Sequence, residues 1–91
     1  MTKTELIEKM AAQSELTKKD AGAALDAFIN IVTETLKTDE EITLIGFGAF
    51  KSAVRSERQG RNPATGATMT IPAKRVPSFK AGKALKDAVN I

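Results

Sequence analysis

The 91-residue sequence contains no cysteine, histidine, tryptophan or tyrosine. Without cysteine there is no disulfide framework, no thiolate metal site and no cysteine nucleophile. Without histidine there is no Ser–His or Cys–His catalysis and no imidazole ligand for a metal ion. These absences argue against an enzyme and against a bound metal or other cofactor.

Long apolar runs are absent as well. Residues 1–10 lack the apolar run of a secretory signal, and no stretch approaches the ~18 apolar residues that cross a membrane. The length fits one small domain over residues 1–91 and no second one. We expect a soluble cytoplasmic protein without a membrane partner.

Charge is distributed unevenly along the chain. Residues 1–45 hold five lysines and nine acidic residues, a net charge of −4. Residues 46–91 hold nine cationic and two acidic residues, a net charge of +7. A half this basic indicates a polyanionic partner.

The first forty residues have helical periodicity. Thr2 and Glu5 have the spacing of a capping box, which predicts a helix from about residue 3 to 13. Thr17 is a second candidate N-cap, for a helix from residue 18 to about 37. The apolar positions of this second helix are too many for one stripe, so we expect it to pack on more than one side.

Strands are predicted after residue 41. Ile42, Leu44 and Phe47 are apolar in a pattern that predicts a strand, and Gly46 and Gly48 interrupt it as a tight turn or bulge would. Residues 51–76 have few sizeable apolar side chains, with a run of turn formers at 60–66. We predict a long β-hairpin arm, a return strand that ends at Pro77, and a short last helix. An arm that buries so little leaves about 65 residues for a core, which favours an obligate homodimer with one shared core.

The arm concentrates cations, and Glu57 is its only acid. Such a ribbon fits a phosphate backbone, and guanidinium groups suit a narrow minor groove; the alternative is a solvated cationic surface. The arm cations are Arg55, Arg58, Arg61, Lys74 and Arg75.

Pro63 lies in the middle of the turn-forming run. It is either an ordinary turn residue or an apolar wedge between base steps, and its neighbours Arg61 and Asn62 favour the wedge. In the last helical segment, lysines either contact the flanks of a long DNA site or only solubilise the helix. These lysines are Lys80, Lys83 and Lys86.

The chain resembles the bacterial histone-like HU proteins, of the family that includes integration host factor. Residues 46–50 (GFGAF), 60–66 (GRNPATG) and 76–90 (VPSFKAGKALKDAVN) carry the resemblance, which covers essentially the whole chain. It implies an α+β fold: an intertwined homodimer with a helical base, a small antiparallel β-sheet saddle, two long β-hairpin arms and a short C-terminal helix. The base and first strand would span 1–45, the saddle and arm 46–80 with the tip at 60–66, and the C-terminal helix 81–91.

The resemblance also implies function. Family members bind the minor groove of double-stranded DNA with little sequence preference, intercalate an arm-tip proline, favour nicked, gapped or bent DNA and compact the bacterial nucleoid. The implied DNA-binding residues are Lys3, Gly46, Gly48, Arg55, Arg58, Arg61, Asn62, Pro63, Lys74, Arg75, Lys80, Lys83 and Lys86, with Pro63 intercalating. The implied dimer core is Leu25, Phe28, Ile29, Val32, Leu36, Leu44, Phe47, Phe50 and Phe79.

Two departures from the family pattern bear on binding. Many relatives carry a cation near the position of Ala53, and several carry a charge at that of Ala67, so arm affinity is expected to be lower here. The sequence ends at Ile91 without the longer tail of integration host factor subunits, which favours a homodimer with shape preference. The rival interpretations are a sequence-specific bender, a basic module for anionic lipid or acidic protein, and an RNA-binding protein. RNA binding stays an open alternative that is not favoured, and a reader of single strands is disfavoured because the arm has no aromatic side chain to stack on unpaired bases.

Overall fold

The computed structural model describes all 91 residues, and the chain forms three helices and five strands. In chain order they are α1 (Lys3–Ser14), α2 (Lys18–Leu36), β1 (Ile42–Leu44), β2 (Gly48–Arg55), β3 (Arg58–Arg61), β4 (Thr68–Ile71), β5 (Lys74–Ala81) and α3 (Lys83–Val89). The predicted α+β class is confirmed. None of the helices combines the length and the hydrophobicity that a membrane crossing needs.

The chain divides into two compact units, Met1–Glu34 and Thr35–Ile91. In the first unit both predicted N-caps are confirmed. The Glu5 amide donates to Thr2 Oγ1 at 3.2 Å, and the Asp20 amide donates to Thr17 Oγ1 at 3.0 Å. Each bond satisfies one of the free amides at a helix start, so these hydroxyls fix where α1 and α2 begin.

The second unit contains a three-stranded antiparallel sheet in the order β1-β2-β5. A tight turn joins β1 to β2, as the two glycines predict: the Phe47 amide donates to the Leu44 carbonyl at 2.9 Å. Gly46 has φ 82°, which the third position of such a turn requires. At Gly48 the backbone of β5 approaches closely, because a Cβ there would lie 2.5 Å from the Lys80 carbonyl oxygen.

The predicted hairpin is present, with one interruption. Arg55 pairs with Lys74 and Arg58 pairs with Ile71, so each strand skips two residues and the register is unchanged. The skipped pairs include Pro72, which has no amide hydrogen to donate to the ladder. The interruption divides the hairpin into a β2–β5 part in the three-stranded sheet and a separate β3–β4 arm.

Two predicted boundaries at the end of the hairpin are wrong. Pro77 does not end the return strand, because β5 continues to Ala81 and Pro77 pairs with Ser52. Proline is tolerated there because β5 is an edge strand of the sheet, where an amide can point away from the ladder. The last helix begins at Lys83 and not at residue 81, with Gly82 as its N-cap.

Candidate nucleic-acid interface

One face of the β2–β5 hairpin carries most of the cations of the sheet. Side chains alternate between the two faces of a strand, and cross-strand partners share a face. The register Lys51↔Ser78, Arg55↔Lys74 and Ala49↔Lys80 therefore puts four cations on one side. We call this side the basic face; it consists of Lys51, Arg55, Lys74 and Lys80, all exposed.

The opposite face of the same hairpin is apolar. Phe50 pairs with Phe79, and their ring centroids are 4.8 Å apart. Phe47 also packs on Phe79, with centroids 5.4 Å apart. The structure therefore brings together the three phenylalanines assigned to the core, and both faces of the hairpin are defined.

At the interruption of the hairpin, cations from both strands surround one open cavity of about 370 Å³. Arg55 and Lys74 reach it from the last pair of the β2–β5 ladder, and Arg58 reaches it from the first pair of the arm. Three of the predicted arm contacts therefore converge on one cleft, where they can act together on one stretch of phosphate backbone.

The arm tip is a hydrogen-bonded loop between β3 and β4. The Asn62 amide donates to the Ala67 carbonyl at 2.8 Å, and the Gly66 amide donates to the Asn62 carbonyl at 2.7 Å. The side-chain Oδ1 of Asn62 accepts the Ala64 amide at 2.9 Å. These bonds close the loop around Pro63, which is exposed. Asn62 therefore holds the loop, and its amide nitrogen is the part of the side chain left for a ligand.

A second open cavity, of about 430 Å³, lies where the β1–β2 turn meets β5 and α3. The cavity is lined by all three lysines that sequence reasoning assigned to the DNA flanks, together with both turn glycines. These residues are Lys80, Lys83, Lys86, Gly46 and Gly48. The three positive charges are therefore focused on one place, which continues from the basic face through Lys80.

Lys3 belongs to the other compact unit, where its charge is already paired. Its Nζ lies 2.7 Å from Asp26 Oδ1, and both side chains are 58% exposed. A phosphate that binds Lys3 must compete with this carboxylate.

Arg75 is not brought together with the other predicted contacts. It pairs with Val54 on the apolar face, and its Nη1 is engaged by Thr38, Asp39 and Ser52. Sequence reasoning also missed Lys51, which lies on the basic face of β2, four residues before Arg55. Strand alternation counted back from Arg55 would have found it. No group of three or more acidic side chains is placed to hold a metal ion.

The predicted core residues of α2 form a stripe at helical spacing. They are Leu25, Phe28, Ile29, Val32 and Leu36. Phe28 and Ile29 are 39% and 45% exposed, so the stripe is only partly covered within the chain.

The whole chain matches a known family. The model of the bacterial DNA-binding protein family matches residues 1–90. The chain belongs to the HU family of bacterial DNA-binding proteins. The family resemblance stated on the three sequence segments is therefore confirmed, and this family is one of architectural proteins and not of enzymes.

HU-beta of Salmonella typhimurium is 57% identical over 90 residues, covering 99% of this chain and 100% of the relative. An Anabaena HU–DNA cocrystal structure matches with a TM-score of 0.87 and 44% identity, covering 98% of this chain and 97% of that chain. HU from Thermotoga maritima matches with a TM-score of 0.69 and 31% identity, covering 98% of each chain. The HU fold and the extended arm are thus shared with solved structures.

Proposed function

We propose that this protein binds, bends and wraps double-stranded DNA with little sequence preference, without catalysis and without a cofactor. The observation that carries the proposal is a basic face that continues into an exposed arm with almost no acid. From residue 42 to 86 the only acidic side chain is Glu57. Cations arranged in this way bind the phosphates of a nucleic acid whatever its base sequence, and their binding releases counterions from the nucleic acid. The DNA in the Anabaena HU cocrystal supports the choice of polyanion.

The arm tip is the proposed bending device. Pro63 is exposed at the end of a two-stranded arm, beside the exposed Arg61. Apolar side chains that enter the minor groove partly unstack base steps and kink the duplex, while arginine suits the groove itself. We assign Pro63 as the wedge and the arm as a minor-groove clamp.

A preference for distorted DNA follows from this mechanism. Unstacking a base step costs a few kcal/mol in intact duplex and less at a nick or gap. The protein therefore favours nicked, gapped or bent DNA, and in the bacterial cell it compacts and stabilises the nucleoid.

The working form is proposed to be a homodimer. The only buried apolar side chains in the chain are those of Ala11 and Ala21, while Phe28, Ile29 and Phe79 are about two-fifths exposed. A 91-residue chain with so little core needs a partner to stabilise it. A second copy with the same exposed stripe provides one shared core and places two arms on one DNA.

Competition between two duplexes of one sequence tests the proposal. At ~150 mM salt, a duplex with a two-nucleotide gap competes with intact DNA for the protein in a gel-shift assay. Much tighter binding to the gapped duplex is expected. Equal, weak binding would remove the wedge role of Pro63. Sedimentation equilibrium at micromolar concentration is expected to give twice the mass of the chain, and a folded monomer would refute the dimer.

A further inference from the structure

Arg75 is engaged in a cluster that faces away from the basic face. Its Nη1 lies 3.0 Å from Asp39 Oδ1, 3.0 Å from Ser52 Oγ and 3.1 Å from the Thr38 carbonyl oxygen. The side chain of Arg75 is 30% exposed, whereas that of Asp39 is 91% exposed. The bonds from Arg75 to Asp39 and to the Thr38 carbonyl are exposed, whereas its bond to Ser52 is partly buried. The exposed ion pair contributes little by itself, and the partly buried bond to Ser52 is the less screened part of the cluster.

The same cluster satisfies the carboxyl end of α2. Leu36 is the last residue of α2, and its carbonyl accepts the Ser52 hydroxyl at 2.8 Å. The Thr38 carbonyl just beyond it accepts from Arg75. Carbonyls at a helix end have no partners within the helix and carry partial negative charge, so a guanidinium cation is favoured there.

The cluster lies at the root of the arm. Arg75 pairs with Val54, one position before the last pair of the ladder, Arg55↔Lys74. Beyond that pair the ladder is interrupted, and the β3–β4 arm begins at Arg58. Arg75 is therefore the last side chain of β5 that ties the hairpin to the rest of its unit before the arm departs.

We propose that Arg75 is a positioning residue that fixes the direction in which the arm leaves the sheet, and that it contacts no phosphate. It acts through Ser52 and the α2–β1 connection, and so sets how the basic face and the tip are presented to one duplex. The inference rests on the proposed DNA function for its consequence, but its structural part is testable without DNA.

The neighbouring Lys74 provides a matched control. Lys74 and Arg75 are adjacent and carry one charge each, but Lys74 lines the cationic cleft on the basic face. Arg75→Met and Lys74→Met therefore remove the same charge from opposite faces, and methionine keeps much of the side-chain length. Circular dichroism first checks that both variants fold, and Ser52→Ala is the second variant that opens the cluster if Arg75→Met does not fold.

Hydrogen exchange of the free protein measures the positioning role directly. Exchange at the Ala53 and Arg55 amides in β2 is expected to rise about tenfold in Arg75→Met and much less in Lys74→Met, because only the former removes hydrogen bonds from a charged donor. Equal exchange in the two variants would overturn the proposal.

DNA binding then separates positioning from contact. Lys74→Met is expected to make the plot of log affinity against log salt less steep. The slope should become less negative by about 0.9 for each phosphate that the protein no longer neutralises. Arg75→Met is expected to keep the slope and to reduce the energy transfer between dyes at the two ends of the bound duplex, since the duplex is less bent. If the slope becomes less steep by the same amount in both variants, Arg75 is a phosphate contact and the proposal is overturned. If the unmodified protein binds no DNA, the proposed function fails, while the exchange result still decides the role of Arg75.

Discussion

Lys51 lies directly across the β2–β5 ladder from Ser78, on the same face as Arg55 and Lys80. Lys51 is the cation on β2 that lies between the cleft at the root of the arm and the lysine-lined cavity beside α3. Both cavities are lined by the cations expected to bind DNA. The basic face is therefore continuous along the hairpin.

Replacing Lys51 is expected to weaken DNA binding at every sequence. Eight phosphate contacts in a dimer give a salt slope of about −7, and Lys51→Gln should make it shallower by about 0.9 for each phosphate left without its cation. Filter binding between 50 and 200 mM salt measures the slope. Lys19→Gln, which removes the same charge from the first turn of α2, is the control. An equal effect of both variants would show that only total charge matters.

Replacing Pro63 is expected to separate bending from binding. Pro63→Ala removes the apolar bulk that unstacks a base step but none of the cations, so most affinity for linear DNA should remain while the bend decreases. Pro63→Leu restores an apolar wedge and should restore much of the bend. Cyclisation of short DNA circles reports the bend, and equal cyclisation with Pro63→Ala and the unmodified protein would contradict the wedge.

Breaking the Lys3–Asp26 pair is expected to strengthen DNA binding. Asp26→Asn removes the carboxylate that lies 2.7 Å from the Lys3 ammonium, so a phosphate no longer competes with it. Because both side chains are largely exposed, the free energy of unfolding should change by less than about 1 kcal/mol. Titration of a long duplex with Asp26→Asn and with Lys3→Gln measures the affinities. Affinity that stays unchanged in both Asp26→Asn and Lys3→Gln would remove Lys3 from the interface.

Gly48 and Gly66 are expected to respond very differently to alanine. A Cβ at Gly48 would lie 2.5 Å from the Lys80 carbonyl oxygen and against the Phe79 ring, so the strands must separate. Overpacking of this kind costs about 1–3 kcal/mol. At Gly66 there is open space, and only the positive φ of 71° opposes a side chain, at a cost of about 1 kcal/mol. Urea unfolding compares the two, and equal destabilisation would contradict the close approach at Gly48.

Much of the local structure was predictable because it depends on neighbours in the chain. Thr2 and Thr17 each cap a helix by accepting a hydrogen bond from the amide three residues later in the sequence. The turn formers at 60–66 lie at the arm tip, as the local sequence predicts. These interactions span a few residues, so a local pattern is sufficient to predict them. The family resemblance followed from the same local segments.

The boundary at Pro77 was not predictable in this way. Proline ends a strand only where the ladder requires a backbone N–H donor at that position, and this depends on whether a further strand pairs on that side. Whether β5 lies at the edge of the sheet is a property of the strand order, which no local pattern contains.

The amino-acid sequence was sufficient to predict the helices and their caps, the hairpin and its tip, and the concentration of positive charge in the second half of the chain. Which cations share a face became clear only from the folded chain. Lys74 and Arg75 are equivalent as sequence, but the register places one on the basic face and the other on the apolar face. Two of the three acceptors of Arg75 belong to Thr38 and Asp39, which are 37 and 36 residues away in the sequence, so folding had to bring them together. Charge is a property of the residue, whereas the partner of a charge depends on the register and on contacts between distant segments.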